Sequence, residues 1–376
     1  MEATPRLAIV GAGLGGLTLA RVLNVHGVGA VVFESEVSPE ARTQGGTLDI
    51  HAESGQLALH EARLDGEFRT HMRAEGEDLR IADRNGHVLV DKITPEDAPP
   101  NRPEIDRADL RQILLDSLPD DTVRWGRRLV RCRPLADERY ELELEDGSME
   151  VCDLLVGADG AHSRVRPLLT DVAPELTGDT LIELSIADVD RTHPEIAKMI
   201  GRGSFWLLAD QRSLGTQRNA HGRVRVYLTL NAERDAVALR SIPFEDPPRA
   251  RAALAEVLSG WSTDLIALLY ACDGPVIPRP IKVLPIGLRW QPTPGVTLVG
   301  DAAHLMPPVG EGANQAMLDG AKLALAMVEN PTTAFAAYEA EMFARTSAIA
   351  RESAETAAML QSPTAAQDMA RFFGSG

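Results

Sequence analysis

The feature that most constrains the fold is a short apolar run followed by a cluster of glycines near the amino terminus. The run Leu7–Val10 is typical of a buried parallel strand, and it ends at Gly11. The apolar residues that follow Gly16 are spaced as in a helix, so the segment predicts a strand, a tight turn and a helix. In such a unit Gly11 permits the turn, Gly13 lets the backbone approach a pyrophosphate, and Gly16 lets the helix lie close to the sheet. The phosphates would lie at the helix amino terminus.

A carboxylate follows the second predicted strand. Residues 30–33 predict this strand, and Glu34 comes directly after it. In dinucleotide-binding folds an acid at this point binds the ribose hydroxyls. The alternative, that the glycines serve only to pack a helix against a sheet, does not explain the position of Glu34. The sequence therefore predicts a bound dinucleotide, without saying which one.

Two further motifs repeat the pattern of a buried strand that ends in glycine and aspartate. Residues 152–166 contain one of them, with Asp159 in the turn and a helix predicted to follow. Residues 296–304 contain the other, with Asp301 in the turn. Any one short glycine pattern can arise by chance. Three in this order describe one extended dinucleotide that lies across a single site.

Together the motifs resemble those of the class A FAD-dependent aromatic hydroxylases, the flavoprotein monooxygenases of the para-hydroxybenzoate hydroxylase type. Within that family the sequence is most similar to the TetX-type tetracycline-inactivating monooxygenases. The resemblance extends from Leu7 to about Arg351, and it fades between Gly178 and Pro285. The shared stretches outside the motifs are residues 45–51, 104–111 and 338–343.

The resemblance implies that FAD is the resident cofactor. In the family an aspartate matched by Asp301 contacts FAD, and Asp159 matches a residue that serves both FAD and the pyridine nucleotide. The cofactor-binding residues that the motifs and the resemblance indicate are Gly11, Gly13, Leu14, Gly15, Gly16, Glu34, Arg42, Gly46, Asp49, Arg107, Arg111, Asp159, Gly300, Asp301, Pro308, Gly310, Gly312, Ala313 and Asn314.

The loop over residues 305–314 is implied to form the catalytic floor. It opens a helix predicted over residues 312–328, and backbone N–H groups at a helix start favour negative charge on a neighbouring group. In the family these groups face the flavin ring, which is anionic when it is reduced or oxygenated. The resemblance therefore assigns the catalytic positions to Pro308, Gly310 and Gly312.

Arg111 matches a family arginine that contacts the flavin. Asp106 is predicted to cap the helix, and the buried stripe that includes Leu110 directs Arg111 away from the core. The alternative is an ordinary solvated arginine on a helix surface. Relatives carry a basic residue directly after the ribose-binding acid. Ser35 takes that position here, and we expect Arg42 to substitute for the missing charge.

The middle of the chain predicts a sheet with one buried and one open face. Residues 180–231 are rich in strand-forming positions, and apolar and polar residues alternate with a period of two over residues 223–230. The resemblance implies that this sheet covers the substrate pocket. The candidate substrate-binding residues are Glu183, Arg212, Arg225 and Tyr227, and for each the alternative is a solvated sheet face.

These segments predict an α/β fold. A Rossmann-like FAD-binding domain, built from a parallel sheet with helices, is expected over residues 1–75, 100–175 and 286–330. A smaller β-sheet substrate-binding domain is expected over residues 76–99 and 176–285. Residues 331–376 are predicted to form a long C-terminal helix that bridges the two domains, with helical periodicity over residues 332–361.

The resemblance also implies a reaction. NAD(P)H reduces the flavin and leaves, and reduced flavin adds O2 to give a C4a-hydroperoxide. An electron-rich phenolic or enolic polycyclic substrate attacks the terminal oxygen, with tetracycline-type antibiotic inactivation and polyketide tailoring as leading cases. His51 and His304 are assigned structural roles, because nothing in the sequence orients His51. Two alternatives stay open: a flavin-dependent reductase or dehydrogenase without oxygen insertion, and a ligand-sequestering protein without turnover.

Charge and cysteine usage narrow the partners. The net charge of -17 repels phosphate backbones and anionic membranes, so neither nucleic acid nor a membrane is an expected partner. The three cysteines show no metal-ligand spacing, so we expect no metal site and a reducing compartment. No signal sequence or membrane span is predicted. We therefore expect a cytoplasmic monomer whose partners are a small-molecule substrate and O2.

Overall fold

The computed structural model describes residues 6–41, 45–95 and 99–374, and Arg42 lies outside these ranges. Its strands form a five-stranded parallel sheet, a seven-stranded sheet and two smaller sheets. The strands are β1 (Leu7–Val10), β2 (Val31–Phe33), β3 (Thr47–Asp49), β4 (Leu79–Ala82), β5 (Val88–Lys92), β6 (Glu104–Asp106), β7 (Val123–Arg124), β8 (Leu129–Pro134), β9 (Tyr140–Leu144), β10 (Met149–Cys152), β11 (Leu154–Gly157), β12 (Glu175–Ile186), β13 (Ser204–Ala209), β14 (Arg212–Arg218), β15 (Val224–Asn231), β16 (Ile277–Val283) and β17 (Val296–Leu298).

The helices cover both large sheets. Three short 3₁₀ turns at Ala74–Glu77, Arg166–Leu168 and Ala220–Gly222 accompany them. The α-helices are α1 (Leu14–Val25), α2 (Gly55–Glu61), α3 (Asp65–His71), α4 (Arg107–Asp116), α5 (Val189–Thr192), α6 (Pro194–Ile200), α7 (Ala236–Ser241), α8 (Pro247–Val257), α9 (Thr263–Ala271), α10 (Asp301–His304), α11 (Glu311–Glu329), α12 (Ala334–Leu360) and α13 (Ala365–Gly374).

The parallel sheet brings the three glycine motifs together. Its strand order is β17-β11-β1-β2-β7, and each neighbouring pair is parallel. Val10 at the end of β1 pairs with Gly157 at the end of β11, which in turn pairs with Leu298 at the end of β17. Because the carboxyl ends of parallel strands meet at one edge, residues 11–16, 157–160 and 300–304 lie side by side there.

Helices α1 and α11 pack so closely that their backbones touch. A Cβ placed on Gly320 in α11 would lie 2.5 Å from the carbonyl oxygen of Gly15 in α1. A Cβ on Gly15 would lie 2.8 Å from the carbonyl oxygen of Ala316. Glycine at both positions therefore lets the start of α1, where the first motif ends, lie directly against α11.

The seven-stranded sheet has its own hydrophobic core. Its order is β16-β12-β15-β14-β13-β4-β5, so its strands come from residues 79–92 and 175–283. The apolar residues of β15 form one core with α8 and α9, whereas β1 and α1 belong to a different core. This arrangement supports the domain division that we propose from the sequence.

The C-terminal segment forms two helices instead of one. Helix α12 runs for 27 residues, and Tyr338 in it donates a hydrogen bond to the carbonyl oxygen of Leu298 in the parallel sheet. At its other end Gln361 donates to Asp179 in β12. The chain then turns near Pro363, and α13 packs against the seven-stranded sheet at Ile81. Helix α12 thus contacts both large sheets, and the α/β fold class is confirmed.

One predicted helix is absent from the described residues around the middle motif. After β11 the chain forms an irregular turn and only the three-residue 3₁₀ turn Arg166–Leu168. The hydroxyl of Ser163 accepts hydrogen bonds from the backbone N–H groups of Val165 and Arg166, and Pro167 has no N–H to donate. The chain thus forms a single short turn where the sequence predicts a helix.

Candidate active site

The first glycine motif leaves open space where a phosphate group would lie. Gly11 has a φ of +106°, and a Cβ there would lie 2.4 Å from the carbonyl oxygen of Ala158. A Cβ on Gly16 would lie 2.2 Å from the carbonyl oxygen of Gly11. A Cβ on Gly13, in contrast, would have no heavy atom within 4 Å. Gly13 and the start of α1 at Leu14 therefore border accessible space, while Gly11 and Gly16 allow the tight packing around it.

Glu34 is buried at the end of β2 and is already oriented by the backbone. Its carboxylate accepts a hydrogen bond from the N–H of Ala12 at 2.7 Å and another from the N–H of Glu36 at 2.8 Å. The hydroxyl of Ser35 donates to it as well, at 3.0 Å. The predicted ribose-binding carboxylate thus lies directly beside the glycine turn.

Arg111 is buried, and its side chain points away from the apolar stripe of α4 that lies in the core, as predicted. Its Nε donates to the carbonyl oxygen of Ala12 at 3.0 Å, and one terminal nitrogen lies 3.0 Å from the carboxylate of Glu36. Its guanidinium lies 5.3 Å from the centre of the Trp125 ring. The alternative of a solvated arginine is wrong, because the side chain is buried between α4 and the glycine turn. Glu36 and Trp125 were not predicted as part of this site, because their link to it is purely spatial.

The middle motif contains a partly exposed carboxylate, one oxygen of which is buried and has no hydrogen-bond partner among the described residues. Asp159 Oδ2 accepts a hydrogen bond from the N–H of Arg164 at 2.6 Å. Its Oδ1 is buried and has no hydrogen-bond partner within the described ranges. Burial raises the pKa of Asp159 above its usual value. A buried oxygen without a partner is costly, so Asp159 is suited to accept a hydrogen bond from a bound molecule.

The late motif is held by a buried ion-pair network around Asp319. Its carboxylate accepts hydrogen bonds from the N–H of Gly300 at 2.8 Å, from His304 Nε2 at 2.6 Å and from Arg345 at 2.7 Å. Although burial alone would raise the pKa of Asp319, His304 and Arg345 hold it below its usual value. This network orients His304 as a structural residue and leaves Asp301, at the start of α10, facing α11.

The predicted catalytic loop is fastened to β3 by the side chain of Asn314. This amide is fully buried, donates to the carbonyl oxygens of Asp49 at 2.8 Å and Gly310 at 3.2 Å, and accepts from the N–H of His51 at 2.9 Å. Gly310 has a φ of +107°, and a Cβ there would lie 3.3 Å from the Asp49 carboxylate. The loop therefore presents the backbone of Gly312 and Ala313 at the start of α11, with Pro308 exposed.

Strands β3 and β6 form a small ribbon whose polar face carries a buried acid that the sequence did not single out. Glu104 accepts a hydrogen bond from the hydroxyl of Thr47 at 2.6 Å, and it pairs with Asp49 across the ribbon. Burial, with added repulsion from Asp49 and Asp106, raises its pKa to about 8. Asp106 does not cap α4 as predicted, because the side chains of Arg73, Arg223 and Asn219 bind its carboxylate.

The ribbon meets the seven-stranded sheet at Gly46. A Cβ on Gly46 would lie 2.6 Å from the hydroxyl of Tyr227 and 3.3 Å from Cγ of Arg225. The carbonyl oxygen of Gly46 also accepts a hydrogen bond from the N–H of Arg107 at 3.1 Å. A Cβ at this contact between the ribbon and the seven-stranded sheet would force the Tyr227 side chain to move, so glycine fits best here. Arg107 and the side chains of β15 both lie next to Gly46.

The structure brings three of the candidate substrate residues together and separates the fourth. Glu183 is buried and accepts hydrogen bonds from Arg225 at 3.1 Å and Arg279 at 2.5 Å. It pairs with Tyr227 across the β12–β15 ladder, so both side chains lie on the face that meets Gly46. Arg212 lies on the opposite face, where it binds Asp235.

A cavity of about 300 Å³ lies between α4 and the seven-stranded sheet, and several predicted residues line it. Gly45, Arg111 and Arg225 line it, together with Asp106 and Arg223. A larger open depression of about 620 Å³ beside α6 contains none of the predicted site residues. The smaller cavity is lined by Arg111, which donates a hydrogen bond to the carbonyl oxygen of Ala12 in the first glycine motif, so it is the cavity nearer the predicted site. Within the described residues, no group of three His, Cys, Asp or Glu side chains could hold a metal ion.

A parallel sheet with three glycine motifs at one edge, together with a second sheet, defines a dinucleotide-binding protein. The chain belongs to the family described as FAD binding domain, whose model matches residues 4–256 and 289–353. It is an FAD-dependent monooxygenase of class A, as the motifs predict.

Named relatives support this assignment. The monooxygenase asqM of Emericella nidulans is 32% identical over 85% of this chain and 83% of its own length. The 3-amino-4-hydroxybenzoate 2-monooxygenase PtnB3 of Streptomyces platensis is 29% identical over 93% of this chain and 87% of its own length.

Solved structures show the same fold. Klebsiella pneumoniae HpxO, complexed with FAD and uric acid, superposes with a TM-score of 0.80 at 21% identity, covering 99% of this chain and 93% of HpxO. The tetracycline destructase Tet(51) superposes with a TM-score of 0.71 at 20% identity, covering 98% of this chain and 95% of that protein.

The residues at the sheet edge fit FAD. The open space at Gly13 suits a pyrophosphate, and the unpartnered Oδ1 of Asp159 suits a hydrogen-bond donor of the cofactor. Within the described residues, no helix combines the length and apolar character needed to cross a membrane.

Proposed function

We propose that this enzyme consumes NAD(P)H and O2 to hydroxylate a phenolic or enolic polycyclic compound. The observation that carries the proposal is that Glu183, Arg225 and Tyr227 lie on the sheet face that meets Gly46, in the ribbon to which Asn314 fastens the predicted catalytic loop. The names of two similar proteins agree with it, since one is a hydroxybenzoate monooxygenase and the other a tetracycline destructase. Tetracycline-type antibiotic inactivation and polyketide tailoring are the leading cases.

In this proposal the sheet edge holds FAD along its length. Gly13 and the start of α1 receive the pyrophosphate, Glu34 receives the ribose, and Asp301 receives the flavin end. When bound, FAD accepts a hydride from NAD(P)H and activates O2 for transfer of one oxygen atom. The backbone N–H groups near Gly312 and Ala313 stabilise negative charge that develops on the ring.

The second sheet binds and orients the substrate. Glu183 is fixed by Arg225 and Arg279, so its carboxylate does not need to rearrange when a ligand enters. Burial raises the pKa of Tyr227 to about 12, so its hydroxyl keeps its proton at neutral pH and can donate it in a hydrogen bond. These groups hold an oxygen-rich ring beside Gly46 and exclude water from it.

The proposal is tested by an absorbance spectrum of the purified protein, followed by a screen for substrate-stimulated NAD(P)H oxidation. We expect the visible bands of bound flavin, faster NAD(P)H loss with one class of phenols, polyketides or tetracyclines, and a product that gains one oxygen atom. If no member of such a panel accelerates NAD(P)H loss, the hydroxylase proposal is wrong. Turnover under strict anaerobiosis would indicate a reductase or dehydrogenase instead. Drug binding without flavin absorbance would indicate a sequestering protein.

We also propose that the enzyme is a cytoplasmic monomer. Cys132, Cys152 and Cys272 are all free thiols, as expected in a reducing compartment. Burial raises the pKa of each to about 12, so all three stay protonated and unreactive at neutral pH. Size-exclusion chromatography with light scattering tests the monomer, and a molar mass near 81 kDa in place of the 40.6 kDa of one chain would contradict it.

A further inference from the structure

A buried histidine lies between two carboxylates beside the predicted flavin loop. The side chain of His51 is 3% exposed, and its Nε2 lies 2.8 Å from Asp49 Oδ2. Its Nδ1 lies 3.4 Å from Glu311 Oε1. The sequence offered nothing to orient His51, but the fold fixes both of its ring nitrogens. An imidazole held in this way can receive a proton on one nitrogen and release one from the other.

Both carboxylates are partly exposed. Glu311 begins α11, is 26% exposed, and is steadied by a hydrogen bond from Gln315 at 3.1 Å. Asp49 is 33% exposed and lies against Gly310, where a Cβ would be 3.3 Å from its carboxylate. Glu311 and Asp49 are both partly exposed and both adjoin Gly310, so His51 links two accessible carboxylates beside the loop that the sequence assigns to catalysis.

The proposed reaction requires a proton from solvent. Its balance is NAD(P)H + H⁺ + O2 + RH → NAD(P)⁺ + H2O + ROH, so one proton enters the site in each turnover. The inference therefore rests on the proposed function. The predicted flavin loop is partly open, since Asn314 is fully buried between Gly310 and β3 whereas Pro308 is exposed. The buried ring of His51 offers the proton a defined route beside this loop.

We propose that Glu311, His51 and Asp49 form a proton relay from solvent to the flavin site. Glu311 delivers a proton to Nδ1 of His51, and the N–H at Nε2 releases its proton to Oδ2 of Asp49 beside Gly310. One N–H bond forms and one breaks in each passage, so the ring stays neutral but changes tautomer, and rotation of the ring restores the starting tautomer before the next passage.

Other charged groups near the relay come from β6. Glu104 stands opposite Asp49 in the β3–β6 ribbon, and Asp106 lies at the other end of the same face. The pKa of Glu104 is raised to about 8 by burial, so at neutral pH it is mostly protonated and adds little negative charge next to Asp49. Asp49 and Glu311 are therefore the groups whose charge acts directly on the His51 ring.

Proton uptake on flash photoreduction of bound FAD tests the relay without substrate or NAD(P)H. Weakly buffered holoenzyme is followed with a pH-indicator dye, and wild type is compared with His51→Gln and Glu311→Gln. The matched control is His60→Gln, because His60 is 72% exposed and pairs with Asp65 away from the loop. We expect proton uptake to slow about tenfold or more in both relay variants and to stay at the wild-type rate in the control. Wild-type uptake rates in both relay variants would overturn the proposal.

If His51 had only a structural role, proton uptake would slow only where FAD affinity is lost. The relay predicts a different result. The variant His51→Ala leaves a space between two carboxylates, so added imidazole should restore proton uptake, and substituted imidazoles should do so in the order of their basicity. FAD affinity, measured by fluorescence titration, should change less than twofold in Glu311→Gln. Slow uptake that only follows lost FAD affinity would make His51 a packing residue and refute the relay. Because these measurements need no substrate, they stand even if the proposed hydroxylation fails.

Discussion

Arg166 Nε donates a hydrogen bond to the backbone carbonyl oxygen of Ala302 at 2.8 Å. The same guanidinium donates to the carbonyl oxygens of Ala161 at 3.0 Å and Asp301 at 3.2 Å. One buried side chain thus joins the middle and late motifs, which are far apart in the sequence. Burial lowers the pKa of Arg166, but it stays charged at neutral pH and binds carbonyl oxygens only.

Substitution of Arg166 should loosen the site without touching the cofactor directly. Arg166→Lys keeps the charge but loses the planar fork, so we expect about 2 kcal/mol lower stability and at least tenfold weaker FAD binding. The control is Arg164→Lys at an exposed position two residues away. Thermal unfolding and fluorescence titration with FAD provide the readouts. Equal FAD affinity in both variants would show that the link between the motifs does not position the cofactor.

Two glycines of the first motif allow backbone strain at Gly11 and the open space at Gly13 to be tested separately. Gly11→Ala introduces a Cβ 2.4 Å from a carbonyl oxygen at a φ of +106°, so the apoprotein itself should lose about 2 kcal/mol or more. Gly13→Ala introduces a Cβ into open space, so the apoprotein should be as stable as wild type. Its FAD affinity should still fall at least tenfold, because the methyl group occupies the expected phosphate position. Urea unfolding of apoprotein and FAD titration separate the two effects, and undiminished FAD binding by Gly13→Ala would contradict the phosphate assignment.

Glu104 should make stability fall as pH rises. Its pKa moves from 4.5 to about 8 on folding, so between these values the folded protein binds a proton that the unfolded chain does not. Unfolding then releases a proton, and the free energy of unfolding decreases with pH across this window by on the order of several kcal/mol. Glu104→Gln should remove this slope, whereas Glu53→Gln at an exposed position should keep it. Parallel slopes for wild type and Glu104→Gln between pH 5 and about 8 would refute the assignment.

The two arginines proposed from the sequence should differ in what they affect. Arg225→Ala removes a partner of Glu183 on the face beside Gly46, so we expect KM for the substrate to rise about tenfold with a smaller change in kcat. Arg212→Ala removes a partner of the buried Asp235 on the opposite face. It should cost about 1–2 kcal/mol of stability and leave KM unchanged, because Arg234 still binds Asp235. A rise in KM for Arg212→Ala alone would reverse the two roles.

Sequence periodicity predicted the elements that carry the site. The strand Leu7–Val10 has the predicted bounds, the predicted helix over residues 312–328 matches α11 within a residue at each end, and the alternation over residues 223–230 corresponds to β15. These segments are buried on one or both sides, so their pattern of apolar residues records the contact directly. The helix predicted after Asp159 is wrong, because only the 3₁₀ turn Arg166–Leu168 forms there and Arg166 binds the carbonyl oxygen of Ala302 in the late motif, a tertiary contact that the local pattern does not encode.

The sequence by itself determined the family, the cofactor and the order of the three motifs, because a backbone that must turn sharply or approach a phosphate accepts only glycine at defined points. The tertiary structure decided which side chains meet. It buried Arg111 against the glycine turn, placed His51 between Asp49 and Glu311, and moved Arg212 to the far face. Such contacts join residues that are distant in the chain, and their geometry depends on how helices and sheets pack, which local patterns do not encode.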